Sequence, residues 1–249
     1  MKHHPPIQLL RLFNCPIFRQ LQIEEALLRA DTRNWCIINS GSPPAIVMGI
    51  SAKPALLLNS SLLAQKPVPV IRRFSGGGTV FIDQQTCLVT LICNSLQIGV
   101  PCYPDKVMQW TESLYKHVFP NIDFRLLEND YVFGHKKFGG NAQYMCKERW
   151  LHHSSLLWDF QEENMHYLLP PARMPQYRQK RQHSDFLCRI REHMDTQEEL
   201  LERIIGGVEH TFSIQKVVME HEVTAIEALP HRKATILVDV TEQNALDHT

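Results

Sequence analysis

Residues 72–80 read Arg72-Arg73-Phe74-Ser75-Gly76-Gly77-Gly78-Thr79-Val80 (RRFSGGGTV), two cations and a hydroxyl leading into three consecutive glycines. A run without Cβ atoms admits positive φ and lets a ligand or another chain segment lie on the backbone. Successive N–H groups in such a run can form a concave anion site. A P-loop would end in Gly-Lys-Ser/Thr, and a dinucleotide fold would set G-x-G-x-x-G between a strand and a helix. Neither pattern is present, and a strand-like segment, Thr79 to Asp83, follows instead. Taken alone, the stretch also fits a tight or bulged β-connection with incidental arginines.

Outward from the glycines, short apolar runs bounded by Ser, Gly and Pro predict strands at Asn34–Asn39, Ala45–Met48, Val68–Phe74 and Cys87–Cys93. Residues 17–30, 104–119 and 196–208 carry apolar residues at helical spacing, the second with Pro104 near its start. Tyr131–Phe133, Phe138–Met145 and Trp150–Trp158, separated by the turns Gly134-His135 and Lys147-Glu148-Arg149, predict an antiparallel meander. Residues 170–192 are proline-bounded, basic and weakly periodic, which predicts a long loop with a short helix. Phe212–Met219 and Thr235–Val240 predict two more strands. Hairpins, without strict strand–helix alternation, indicate an α+β fold with mixed, largely antiparallel sheets flanked by helices.

The chain has 249 residues, enough for one large core. Lys plus Arg (26) balance Asp plus Glu (26), so no bulk field favours nucleic acid or an anionic membrane. Seven cysteines without Cys-x-x-Cys spacing predict reduced thiols and a cytoplasmic protein. No apolar run approaches the ~20 residues that span a bilayer, so no membrane association is expected.

Two further motifs bear on chemistry. Asn129-Asp130 precedes Gly134-His135-Lys136-Lys137-Phe138-Gly139-Gly140-Asn141-Ala142-Gln143. A lysine on a strand beside a glycine pair can reach a ligand over that strand and offset charge on a carboxylate or phosphate. Asp130 suits Mg²⁺, a cation that favours carboxylate oxygen. The competing reading is a pair of solvated hairpin lysines, of which strand alternation lets at most one face a site. Trp150-Leu151-His152-His153-Ser154-Ser155-Leu156-Leu157 holds a double histidine that also splits across a strand; without a third ligand at metal spacing it predicts no zinc site.

Together, the order and spacing of RRFSGGGTVFID (72–83), ND (129–130), KFGGNAQ (137–143) and HHSSLL (152–157) resemble the lipoate–protein ligase family of the biotin/lipoate ligase catalytic fold. The likeness covers about residues 15–165, and AIVMGI (45–50) resembles the strand before that family's substrate-binding turn. The resemblance implies activation of lipoate, or a related medium-chain acid, with ATP and Mg²⁺ to an acyl-adenylate. The acyl group then passes to a lysine of a lipoyl carrier domain, either in a 2-oxoacid dehydrogenase complex or in a glycine-cleavage H-type protein. It places Gly76, Gly77 and Gly78 against the acyl chain and adenylate, with Arg72, Arg73 and Ser75 alongside. Lys137 takes the part of the central lysine, contacting the acyl carbonyl and the phosphate. Gly139, Gly140, Asn141 and Ala142 belong to the same acyl/adenylate wall, Asn129 and Asp130 fall near the nucleotide phosphates and Mg²⁺, and His153 lies beside the acyl group. The basic run Arg178, Lys180, Arg181 reads as a loop closing over the phosphates, as a patch docking an acidic carrier, or as a plain solvated loop.

The chain departs from the family pattern at Ile82, where the family has His, and at Ser154, where it has Gly. Phe138-Gly139-Gly140 replaces Ile-Ser/Ala-Gly. The tail after about residue 195 is shorter than the accessory domain of long bacterial ligases. Residues 1–249 are therefore expected to form a single catalytic-type domain, with 195–249 a short helix-plus-strands extension. A separate accessory chain or a transferase role would then complete the activity. An ATP-independent octanoyl or lipoyl transferase would need a cysteine nucleophile, for which Cys146 is the nearest candidate. A non-catalytic acyl- or lipoyl-domain-binding homologue is the third reading, motivated by Ile82 and Ser154.

Overall fold

The computed structural model describes residues 4–170, 174–179 and 181–240, without the side chains of 183 and 184. Twelve strands occur among them. The first six are β1 (Pro6–Phe13), β2 (Trp35–Ser40), β3 (Ala45–Met48), β4 (Val70–Arg72), β5 (Val80–Ile82) and β6 (Thr86–Asn94). They are followed by β7 (Phe124–Leu127), β8 (Asp130–Phe133), β9 (Lys136–Cys146), β10 (Arg149–Leu157), β11 (Ser213–Val218) and β12 (Ile236–Leu237). Three longer helices accompany them: α1 (Ile17–Ala30), α2 (Pro104–Val118) and α3 (Gln197–Thr211).

Eight strands form the main sheet in the order β11-β1-β2-β6-β10-β9-β8-β7, antiparallel except at β11-β1-β2. Strict alternation along β6 divides its side chains. Cys87, Val89, Leu91 and Cys93 face a layer made by α2 and α3, whereas Leu88 and Ile92 join the clusters that α1 covers. Helix α2 follows its sequence cues, with Pro104 at its start, Asp105 in the first turn and Lys116 and His117 in the last, which complements the helix dipole. A second sheet, β12-β4-β3-β5, packs Val47, Ile71 and Ile82 against Ile17 and Leu21 of α1. Its Ile46, Met48 and Phe81 pack against Phe160, Met165 and Phe186.

The segment after 195 is woven into the fold. Helix α3 joins the main core, β11 lies parallel beside β1, and β12 pairs with β4. Glu25, buried on α1, holds the approach to β12 by accepting from the N–H groups of Ala234 and Thr235 at 2.9–3.1 Å. No helix among the described residues is long and apolar enough to cross a membrane.

Strand β1 was not anticipated. Ile7, Leu9, Leu10 and Leu12 are buried on both faces of an interior strand, so Pro6–Phe13 shows no amphipathic alternation to read. Pairing of β8 with β9 is also irregular: Tyr131 opposes Gly139 and Val132 opposes Lys137, which leaves Phe138 as an extra residue. That bulge reverses the alternation, with direct consequences for the site.

Candidate active site

Between the two sheets lies a cavity of about 770 Å³. Its walls come from the 76–82 segment, from β9 and β10, from the Glu128–Asp130 turn and from the 165–187 segment. The volume suits a small-molecule ligand, and the lining combines apolar side chains with a few polar groups.

The glycine loop is held from behind. Arg73 is buried with 4% of its surface exposed, and its guanidinium donates to the carbonyls of Gly76 (2.8 Å) and Gly78 (2.9 Å) and to Ser75 Oγ (3.1 Å). No carboxylate pairs with it among the described residues, and burial draws its pKa down to about 10, against a smaller opposing pull from Glu24. Gly77 has φ +107°, and a Cβ there would lie 2.7 Å from Arg73 Nη2. At Gly76 and Gly78 a Cβ would meet nothing within 4 Å. Only the middle glycine is required by the loop's own packing; the outer two leave their space open on a wall of the cavity.

Lys137 reaches the cavity because of the bulge. Phe138 packs in the helix-side core, and a Cβ on Gly139 would lie 3.0 Å from Leu156 Cδ2 on that same side. The alternation therefore resets so that Lys137 shares the opposite face with Gly140 and Ala142. A Cβ at Gly140 would come within 3.4 Å of Lys137 Nζ, so this glycine clears room for the ammonium. Nζ lies 2.8 Å from Asp130 Oδ1, and Asp130 Oδ2 accepts from Tyr177 Oη at 2.8 Å. Burial and the Asp130 carboxylate both raise the Tyr177 pKa. Glu128 accepts from the N–H groups of Gln176 and Tyr177, which moors the 174–179 segment at the rim. No cluster of three or more His, Cys, Asp or Glu side chains suited to a metal occurs among the described residues.

The double histidine divides as alternation requires. On the helix side, Thr111 Oγ1 donates to Met108 O and Tyr131 Oη donates to Thr111, leaving the Tyr131 oxygen to accept from His152 Nε2–H (3.1 Å). Gln143 Nε2 donates to His152 Nδ1, and burial holds this neutral imidazole down to about 3. Ser154 Oγ, also 3.1 Å from His152 Nε2, donates to Asn141 Oδ1, and Asn141 Nδ2 donates to Asn129 O. Ser154, unusual against the family pattern, thereby ties the β10 core to the Asn129-Asp130 turn. On the other side, His153 lines the cavity, with Nδ1 3.0 Å from Glu24 Oε1.

The family model for the lipoyl protein ligase A/B catalytic domain matches residues 16–220. The chain belongs to this family. Its relatives in this family carry the name lipoate–protein ligase, an inactive one among them. The inactive lipoate–protein ligase 2 of Plasmodium falciparum (isolate 3D7) is 26% identical over 271 residues, covering 83% of this chain and 70% of that protein. The crystal structure of lipoate-protein ligase A bound with ATP superposes with a TM-score of 0.73 at 15% identity, over 90% of this chain and 92% of the other. A bipartite lipoate protein ligase from Thermoplasma acidophilum, studied with its E2 lipoyl domain, gives a TM-score of 0.73 at 16% identity, over 90% and 91%. At such identities the superpositions speak to the fold.

In this lipoyl-ligase-family chain, Arg73, Gly76, Gly77, Gly78, Asn129, Asp130, Lys137, Gly140, Asn141, Ala142, His153 and Arg178 line one cavity. Four expected residues do not. Arg72 donates to Ala52 O, Ser75 lies under the loop as a partner of Arg73, and Gly139 packs against the core. Arg181 donates to the carbonyls of Arg178, Tyr177 and His135, so its charge secures the segment's own backbone. Lys180 lies outside the described residues. Ile82 packs with Ile17, Leu21 and Leu88 and gives the cavity an apolar patch where the family has His. None of the seven cysteines, Cys146 included, lines the cavity.

Glu24, Glu128 and Tyr177 were missed. For Glu24 the signal was present: Ile17, Leu21, Glu24 and Leu28 form one helical stripe, and a charge on an apolar stripe marks a buried polar partner.

Proposed function

We propose that the chain activates lipoate, or a related medium-chain acid, with ATP to an acyl-adenylate and transfers the acyl group to a lysine of a lipoyl carrier domain. The observation that carries this reading is the convergence of Lys137, the open faces of Gly76 and Gly78, and Arg178 on one cavity with apolar walls. An acyl chain needs an apolar wall such as Val47, Ile82 and Leu168 provide, whereas the carboxylate and α-phosphate need cations. Arg178 meets no carboxylate in an ion pair among the described residues; its Nε donates to Arg181 O and its guanidinium lies over the Phe186 ring, 4.8 Å from the centroid. Lys137 would exchange its bond to Asp130 for contacts to the acyl phosphate. Asp130 is the candidate for Mg²⁺, an ion that is commonly held by one or two carboxylates plus substrate phosphates and water.

Lipoyl domains of 2-oxoacid dehydrogenases or an H-type protein are the proposed acceptors, and the family's Thermoplasma member with its E2 lipoyl domain supports that class. A transferase using Cys146 is disfavoured, because Cys146 closes β9 away from the cavity wall. A non-catalytic binding role is favoured by one observation, the engagement of Lys137 by Asp130. Lipoate-dependent exchange of pyrophosphate into ATP separates the two: exchange abolished by Lys137→Ala supports the ligase, and no exchange with the intact chain, even with an added accessory protein, refutes it.

A further inference from the structure

A carrier lysine approaches as an ammonium, with a reference pKa of ~10.4, so at about pH 7.5 only about one molecule in 800 is a free amine. Transfer therefore calls for a base in the cavity. The buried network behind His153 supplies one, and its proton directions can be followed from the backbone.

Cys15 N–H donates to Asn39 Oδ1 at 3.2 Å, which fixes the orientation of that amide. Asn39 Nδ2 then donates to Gln20 Oε1 at 2.9 Å, and Gln20 Nε2 donates to Glu24 Oε1 at 2.7 Å. Thr90 Oγ1 donates to the same oxygen at 2.7 Å. Glu24, with no exposed surface, is thus an acceptor surrounded by donors, and the remaining donor is His153 Nδ1–H. With Nδ1 protonated, the neutral ring carries its lone pair on Nε2, which makes no hydrogen bond among the described residues. Other charged or titratable groups around the ring are Arg73, whose charge Glu24 also feels, neutral His152 on the opposite face, and Lys137, Asp130 and Arg178 on other walls of the cavity.

We propose that His153 Nε2 is the general base that deprotonates the carrier lysine, and that Glu24 is the positioning residue that fixes its tautomer. This rests on the acyl-transfer reading above. The lysine ammonium gives one proton to Nε2. The amine lone pair then forms the N–C bond to the acyl carbon as the C–O bond to phosphate breaks, with its electron pair leaving on the AMP oxygen. The second proton leaves the new amide nitrogen for AMP or water. A carboxylate–imidazole pair is suited to this step because Nδ1–H···Glu24 stabilises the imidazolium that forms.

The test uses synthetic lipoyl-adenylate, so that ATP chemistry is bypassed, and follows single-turnover transfer to a lipoyl domain by mass spectrometry. His153→Asn should slow transfer by about 10²–10³-fold at pH 7.5, with adenylate affinity within about threefold of wild type. The defect should shrink at about pH 9.5, where roughly a tenth of the carrier lysine is already free amine. In Glu24→Ala, which removes the oxygen that accepts from Nδ1–H, the preference for that tautomer should weaken, visible by ¹⁵N NMR of labelled histidine, with a parallel loss of transfer. An Nε2–H tautomer in the wild-type chain overturns the inference whatever the rates. A His153→Asn defect equal at both pH values overturns the base role alone. A wild-type chain with the assigned tautomer that transfers nothing overturns the proposed function, and the base role with it.

Discussion

Substituting alanine for each glycine of the 76–78 run separates what the loop needs from what a ligand needs. At Gly77 two costs combine. The backbone holds φ at +107°, where an L-residue is strained by about 1–3 kcal/mol. The new Cβ would also sit 2.7 Å from Arg73 Nη2, the atom that bridges Gly76 O and Gly78 O. Losing one of those charge-assisted bonds adds about 1.5–3 kcal/mol. Gly77→Ala should therefore lose about 2.5–6 kcal/mol in urea unfolding, a fall in Tm on the order of 10 °C for a chain of this size. Gly76 and Gly78 have no positive φ and no neighbour within 4 Å of a built Cβ, so their alanine variants should stay within about 1 kcal/mol of wild type. A Gly77→Ala protein as stable as wild type, or equal destabilisation at all three positions, would refute this division.

Two other outcomes follow from the site's charges. Because burial lowers the His152 pKa to about 3 from 6.5, the folded chain binds fewer protons than the unfolded chain between those values. Its contribution is complete above pH 6.5 and is lost as pH falls toward about 3, by up to ~1.4 kcal/mol per pH unit. The stability of His152→Gln should thus fall less steeply than wild type from about pH 6.5 to 4.5 in urea titrations; parallel slopes would contradict the buried neutral ring. Arg178→Ala should raise the apparent KM for ATP in pyrophosphate exchange by about tenfold, the loss of a charge-assisted contact of ~1.4 kcal/mol, with the dependence on lipoyl domain little changed. A selective effect on the lipoyl domain would return Arg178 to a docking role.

Much of the site could be read from residue types. The glycine run, Lys137 and the divided histidines each carry a local constraint that spacing reveals, and α1, α2 and the meander follow from periodicity. What escaped was non-local. The bulge at Phe138 decides which face Lys137 occupies, yet it exists only in the pairing of β9 with β8. Arg73 lines the cavity, but spacing does not show that three oxygens of its own loop engage its guanidinium. Strand β1 lacked alternation because both its faces are buried, and the pairing of the C-terminal helix-plus-strands extension with β1 and β4 joins segments far apart in sequence. Glu24 and Glu25 read as helix formers, while each anchors a different distant segment.

Calorimetric titration with a non-hydrolysable lipoyl-adenylate analogue tests most directly whether the cavity between the sheets is an acyl-adenylate site. One analogue should bind per chain, and Gly78→Val, which fills the open wall, should abolish binding while leaving the unfolding midpoint near that of wild type. No binding to the intact chain, or equal binding to Gly78→Val, would contradict the assignment.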